Sequence, residues 1–268
     1  MFHIVLAVTL VHDTYIKQSC SPSDFEAIAE HWSLGATLLN QAISEPVTSL
    51  SSLTRDAMWA CAAWLGCLAF SILDAETAEQ SWPLKPSEPG DLSWLKFCEG
   101  KSAIFRLSDP CRADSLFAPI REEMAQFMSY RTDLSVADMQ KTLPHELIEL
   151  CNFLPVPAHM EMDNPYWAPM SLLAQLIPLE CTQDNYVLFI GFFRTLQTGY
   201  KQLLSQKDPA AMLLLLFWYA KILTFKAWWL EKRARLESRA ISIYLQQHHP
   251  DDTRVMRLVN HVQSVFGV

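Results

Sequence analysis

The chain has 268 residues, half of them hydrophobic, 19% charged and only 7 of them glycine. That is enough apolar material for a sizeable core and excludes disorder, while so few glycines leave little for the positive-φ turns of a many-stranded β-protein or for a glycine-rich phosphate loop. A formal net charge of −8 argues against an open nucleic-acid surface, which needs clustered Lys and Arg to neutralise phosphates.

Composition therefore favours an all-α chain, and the apolar periodicities supply its helices in order. Residues 1–18 read as a short apolar helix with no upstream capping residue, as a helix cut from a longer chain would. The same opening has no Lys or Arg before the apolar stretch and runs into His12, Asp13 and Tyr15, so it does not read as a secretory signal. Ser23-Asp24 offers a cap for a helix to about Ser44, in which Phe25, Ile28, Ala29, Trp32, Ala36 and Leu39 recur at helical spacing, and Pro46 ends it. Thr54 opens the next, and Ala57 through Leu73 is apolar nearly all round, which predicts a central helix. Residues 81–91 form a proline-rich connection, and Leu92–Leu107 reads as a helix closed by Ser108, Asp109 and Pro110.

Further helices are expected near 116–130 and from Leu143 to about Phe153, separated by a polar break. A loop at 154–169 is stiffened by Pro155, Pro157, Pro165 and Pro169. Helices at 170–177, 183–206 and 209–247, the last bent or broken, lead to an amphipathic piece at 251–266. Without a composition shift or a repeat, the expectation is a single α-helical domain over 1–268: a multi-helix orthogonal bundle around a buried apolar helix or pocket. Ala210–Ala220 spans about half of the roughly 20 residues a bilayer crossing needs, so no membrane span is expected. Seven scattered cysteines without a CxxC pair fit a reducing interior, hence an intracellular protein, nuclear or cytoplasmic.

The helix from Pro209 carries two apolar faces. On a 100° wheel Leu213, Leu216, Phe217, Ala220, Thr224 and Ala227 share one, and Trp218, Ile222, Phe225 and Trp229 form a nearly opposite one. Both must be covered, by packing or by the wall of a cavity for a flat apolar ligand. Candidate ligand-binding residues are accordingly Trp64, Phe70, Phe189, Phe192, Phe193, Trp218, Phe225 and Trp229, with Tyr219 and Thr224 as polar anchors within the apolar run.

Conventional chemistry has no support. There is no GxSxG elbow, no cysteine-protease signature, no GxGxxG and no P-loop, so no catalytic residue and no cofactor is assigned. His145-Glu146 with Glu149 lacks the second histidine of a zinc-protease helix and reads as capping and a solvated face, and His248-His249 reads as a helix end before an Asp251 or Asp252 cap. No metal site is assigned. His3 and His12 lie about 180° apart on their helix, so they cannot share a site, and each is expected to make a structural hydrogen bond. The run Lys226, Lys232, Arg233, Arg235 and Arg239, interleaved with Glu231 and Glu237, reads as a solvated, salt-bridged face.

Residues 2–12, Phe-His-Ile-Val-Leu-Ala-Val-Thr-Leu-Val-His, resemble the opening helix of the C-terminal regulatory domain of fungal zinc-cluster transcription factors of the sterol-uptake-control type, with His3 and His12 at its two histidine positions. His31-Trp32 with Ala36 and Leu38-Leu39, Asp56-Ala57 before Ala60–Phe70, Trp94 with Gly100, and Pro209–Leu216 before Trp228-Trp229 are similar to its later helices. The six-cysteine DNA-binding cluster of that family is absent from this sequence, so direct nucleic-acid binding is not implied. The resemblance implies an all-α domain enclosing an apolar pocket for a sterol-like ligand.

Two functions follow as expectations. One is a non-enzymatic regulatory domain that binds a sterol- or terpenoid-like molecule and acts through protein partners or a homodimer. The other is a cofactor-independent enzyme, a cyclase, pericyclase or isomerase, that folds a terpenoid or polyketide in a recruited pocket.

Overall fold

The computed structural model describes residues 1–122, 124, 125, 130, 134–152 and 164–267, with residues 97–99 described for their backbone only. The described residues fold into α-helices, short 3-10 turns and connections, with no strand among them. The protein is all-α. Within the single-domain span expected from the sequence, the contacts resolve two compact units.

The first unit comprises 1–73, 93–125 and 228–230. Its helices are α1 (Phe2–Lys17), α2 (Pro22–Ser44), α3 (Ser52–Ser71) and α4 (Trp94–Ser108). The α2 cap lies two residues before the expected one: the Ser21 hydroxyl accepts the Asp24 N–H at 3.1 Å and the Asp24 carboxylate accepts the Ser21 N–H at 3.0 Å, with Pro22 opening the helix. Ser51 likewise caps α3 by accepting the Thr54 N–H at 3.1 Å. Ile4, Leu39, Met58, Cys61, Ala62 and Leu65 form one core cluster, and Ala7, Val11, Ile28 and Leu68 extend it between α1, α2 and α3. A Cβ at Gly35 would sit 2.6 Å from Ile4 Cγ1, so glycine is what lets α1 and α2 approach this closely. The apolar α3 packs against α1, α2 and α4, as expected of a central helix, without being buried all round. With α1 and α2 on one side and α4 on another, it keeps a solvent face on which Leu53 and Trp64 are exposed.

Polar groups tie the end of this unit down. Arg112 Nη2 donates to Asp56 Oδ1 at 2.6 Å, the Ser115 hydroxyl donates to the same oxygen at 2.7 Å, and the Leu116 N–H donates to Oδ2 at 2.9 Å. The segment after α4 therefore hangs on one buried carboxylate. Of the helix expected near 116–130, the described part comprises a 3-10 turn at Ala118–Ile120 and helical residues at 121, 122, 124 and 125; the rest falls largely outside the described residues.

The second unit comprises the described residues of 74–92, 126–227 and 231–268. Its helices are α5 (Val136–Met139), α6 (His145–Leu150), α7 (Trp167–Leu176), α8 (Tyr186–Ile190), α9 (Thr198–Ser205), α10 (Pro209–Ile222), the body of α11 (Trp228–His248) and α12 (Thr253–Phe266). A Ser135 cap places α5 where a polar break was expected. Most of the proline-stiffened loop, 153–163, lies outside the described residues, and α7 begins at Trp167, inside the loop's expected span. The expected helix over 183–206 is three pieces, α8, a 3-10 turn at Gly191–Thr195 and α9.

The hub is α10. Asp208 caps it by accepting the Ala211 N–H at 2.9 Å, Pro209 sits at its first position, and 12 of its 14 residues are buried. It packs against α6, α7, α8, α9 and α12, which accounts for apolar residues on every side. It ends at Ile222, and the chain turns through Leu223–Ala227 before α11, so Phe225 and Trp229 do not continue the Trp218 face. Asp252 caps α12, as one of the two expected aspartates.

Candidate ligand cleft

The ten sequence-predicted ligand residues separate into groups. Phe70, Trp229 and Trp64 belong to the first unit. Phe70 is buried with its ring 5.0 Å from Trp94 and 5.9 Å from Trp229, both edge-on, while Trp64 is 39% exposed on α3. The second unit gathers Phe189, Phe192, Phe193, Trp218 and Tyr219. Phe192 stacks on Trp218 at 5.1 Å and 10°, Phe193 meets it edge-on at 5.1 Å, and the indole N–H donates to the Phe189 carbonyl at 2.8 Å. Phe189, Phe192, Trp218 and Tyr219 are each 0% exposed, so no water-sized space borders them. Phe225 stacks on Tyr186 at 5.4 Å, and Thr224 is exposed with its hydroxyl donating to the Lys221 carbonyl.

Tyr219 anchors a buried polar group instead of a pocket. Its hydroxyl donates to Glu237 Oε2 at 2.6 Å, and Arg233 Nη1 donates to Glu237 Oε1 at 2.6 Å, with both charged side chains nearly fully buried. Burial and the Glu237 charge push the Tyr219 hydroxyl well above the usual phenol range. Arg233 thus departs from the expected solvated face, whereas Lys232 keeps to it by pairing with Glu76.

The opposite side of α10 borders a cleft of ≈ 410 Å³. Leu143, Pro144 and Phe217 form its apolar floor, with Ile177 from the end of α7 and Val265 and Phe266 from α12. Lys141, Thr142, Lys221 and His261 complete the lining. The Phe217 ring is stacked by His261 at 6.0 Å. Lys141 is exposed and paired with Asp138 at 2.6 Å. Lys221 is half-buried, and no ion pair reaches it among the described residues. Burial lowers its pKa from the ordinary ammonium value, partly offset by Cys181 and Glu180 nearby. An ammonium held beside apolar walls without a full counter-charge suits an incoming anion. None of the ten sequence-predicted residues lines this cleft. Phe217 was visible in the sequence only as one packing residue on a wheel, and Lys141, Lys221 and His261 are too far apart in the chain for spacing to join them.

Other chemistry-bearing groups are accounted for locally. His145 lies 3.5 Å from Glu149 on an exposed face, and Arg257 reaches Glu146 at 3.1 Å. The His248 ring contacts the Tyr244 carbonyl at 3.0 Å. His12 packs edge-on to Trp228 at 5.2 Å, and His3 meets His31 of α2. Among the described residues no three metal-ligating side chains converge. Burial raises the Cys67 and Cys181 thiols to about 11, which leaves them as packing groups. No helix among the described residues is long and apolar enough to cross a membrane.

No protein-family model, no curated protein and no solved structure matches this chain.

Proposed function

We propose that this protein is a binding domain for an apolar small molecule of sterol or terpenoid size that carries an acidic group, taken up in the cleft between α6, α10 and α12. The observation that carries the reading is the half-buried Lys221 on the wall of a ≈ 410 Å³ cleft floored by Leu143, Pro144 and Phe217. That volume lies within the range of small-molecule sites, roughly 300–1,000 Å³, and the combination of apolar walls with few placed polar groups is typical of them. The acid would sit against Lys221, with Lys141 adding positive potential once Asp138 gives way. The hydrocarbon body would lie along Val265 and Phe266.

A regulatory role, exerted through protein contacts, is supported by the resemblance of residues 2–12 and of the His31-Trp32 helix to the fungal regulator domain. Native mass spectrometry after incubation with sterol and terpenoid extracts tests the reading. Retention of apolar acids in preference to their neutral analogues is expected, and recovery of the bare protein from every extract would remove it.

A further inference from the structure

The first unit brings two histidines into contact across a helix pair. His3, in the first turn of α1, and His31, in the middle of α2, are 28 residues apart, yet their Nδ1 atoms are 3.2 Å from each other and their ring centroids 5.1 Å, with the planes tilted by 43°. Both side chains are partly buried, so the pair is shielded by its helices and still reachable from solvent. The contact is built by the backbone below it. One turn beyond His31, Gly35 admits Ile4, the residue after His3, into a space that any Cβ would fill. This fixes the two helices at the distance and level where the imidazoles meet.

We infer that His3 and His31 form a two-histidine site for a borderline divalent metal ion, of which Zn²⁺ is the type. Two Zn–N bonds of about 2.0–2.1 Å opening at a tetrahedral angle place their nitrogens about 3.4 Å apart, and a right angle places them about 2.9 Å apart. The observed 3.2 Å lies between these values, so the two Nδ1 atoms already stand at the separation of two ligands on one ion, and ring rotation suffices to turn both lone pairs towards it. Imidazole nitrogen is a matching ligand for Zn²⁺. Two protein ligands leave the remaining positions to water, so this is an open, exchangeable site and not a closed structural one. Binding moves the donor ring's proton from Nδ1 to its own Nε2, so that both Nδ1 lone pairs become free for the metal and each ring keeps one N–H. The same contact without metal is a hydrogen bond between the rings, and the metal-bound form would tie α1 to α2 more firmly.

Calorimetric titration of the full chain with ZnCl₂ at pH 7.5 tests the inference, alongside His31→Ala and His3→Ala. The chain has 8 histidines and an exposed Cys20, so dependence on His31 is what distinguishes this site from others. The expected result is one Zn²⁺ per chain whose affinity falls more than about tenfold in either variant, at least the loss that removing a supporting group causes elsewhere. Equal binding by both variants, or none by the parent chain, would overturn it. Should a variant fail to fold, diethyl pyrocarbonate labelling of the parent chain with and without Zn²⁺ decides the matter by peptide mass. Joint protection of His3 and His31 is expected, and modification of both unchanged by Zn²⁺ counts against the site.

Discussion

Asp56 and Arg112 form a buried ion pair across the first unit, with Nη2 to Oδ1 at 2.6 Å and both side chains under a tenth exposed. The pairing is asymmetric in its supports. Arg112 also donates to the Ser108 and Ser52 carbonyls, at 2.9 and 2.7 Å, while Asp56 collects Ser115 and the Leu116 N–H. The carboxylate is thus the point at which α3 holds the chain that leaves α4.

Removing that charge while keeping the shape should unfold this attachment. Asp56→Asn leaves the buried guanidinium only the exposed Asp114 carboxylate, 3.1 Å from its Nε, and is expected to cost about 3 kcal/mol, measured by urea denaturation. The pH dependence follows from the direction of the Asp56 shift. Burial pushes its carboxyl up, but the Leu116 N–H, the Ser115 hydroxyl and Arg112 outweigh it and hold the folded-state pKa below 3.8. A depressed acid contributes stability that is complete above its unfolded value and lost as pH falls through the folded one. The parent chain should therefore lose stability below about pH 4 along a slope that Asp56→Asn flattens.

The Trp218 indole is stacked by Phe192, flanked by Phe193 and hydrogen-bonded to the Phe189 carbonyl. Truncation to Ala should destabilise the second unit by about 3–5 kcal/mol through the cavity it leaves. Thermal denaturation checks this. A Trp218→Ala protein of unchanged stability that had lost ligand affinity would show that the aromatic cluster opens to a ligand.

Glu237 accepts from both Tyr219 and Arg233 in the core of the second unit. Glu237→Gln removes the buried negative charge that Arg233 Nη1 pairs with and should cost about 3–5 kcal/mol. Tyr219→Phe removes the hydrogen bond to the charged Glu237 acceptor and should cost about 1.5–3 kcal/mol. Denaturant midpoints of the two variants should rank in that order, with the Tyr219→Phe protein the more stable.

Sequence pattern disclosed the helical class because glycine scarcity and 3.6-residue periodicity are local signals, and it placed α10 well because Asp208-Pro209 is a local cap. It allowed for a bend or break within 209–247 but did not place it at Leu223–Ala227, where neither Gly nor Pro interrupts the apolar pattern and the turn answers to tertiary packing. The Asp56–Arg112 pair joins residues 56 apart, and Arg233 looked like its solvated neighbours until Glu237 and Tyr219 were seen to enclose it. The cleft was hidden for a related reason. Aromatic residues were the natural candidates for a ligand wall, but most of them satisfy one another, and the open surface lies on the Phe217 side of the helix where Lys221 marks it.

The most direct test is a calorimetric comparison of abietic acid, a diterpene carboxylic acid, with its alcohol, abietinol, on the parent chain and on Lys221→Met. Saturable 1:1 binding of the acid is expected, with at least about tenfold weaker binding of the alcohol and loss of that preference in Lys221→Met, a difference of about 1.4 kcal/mol or more. Absence of saturable binding, or equal affinity for acid and alcohol that Lys221→Met leaves unchanged, would contradict the proposed cleft.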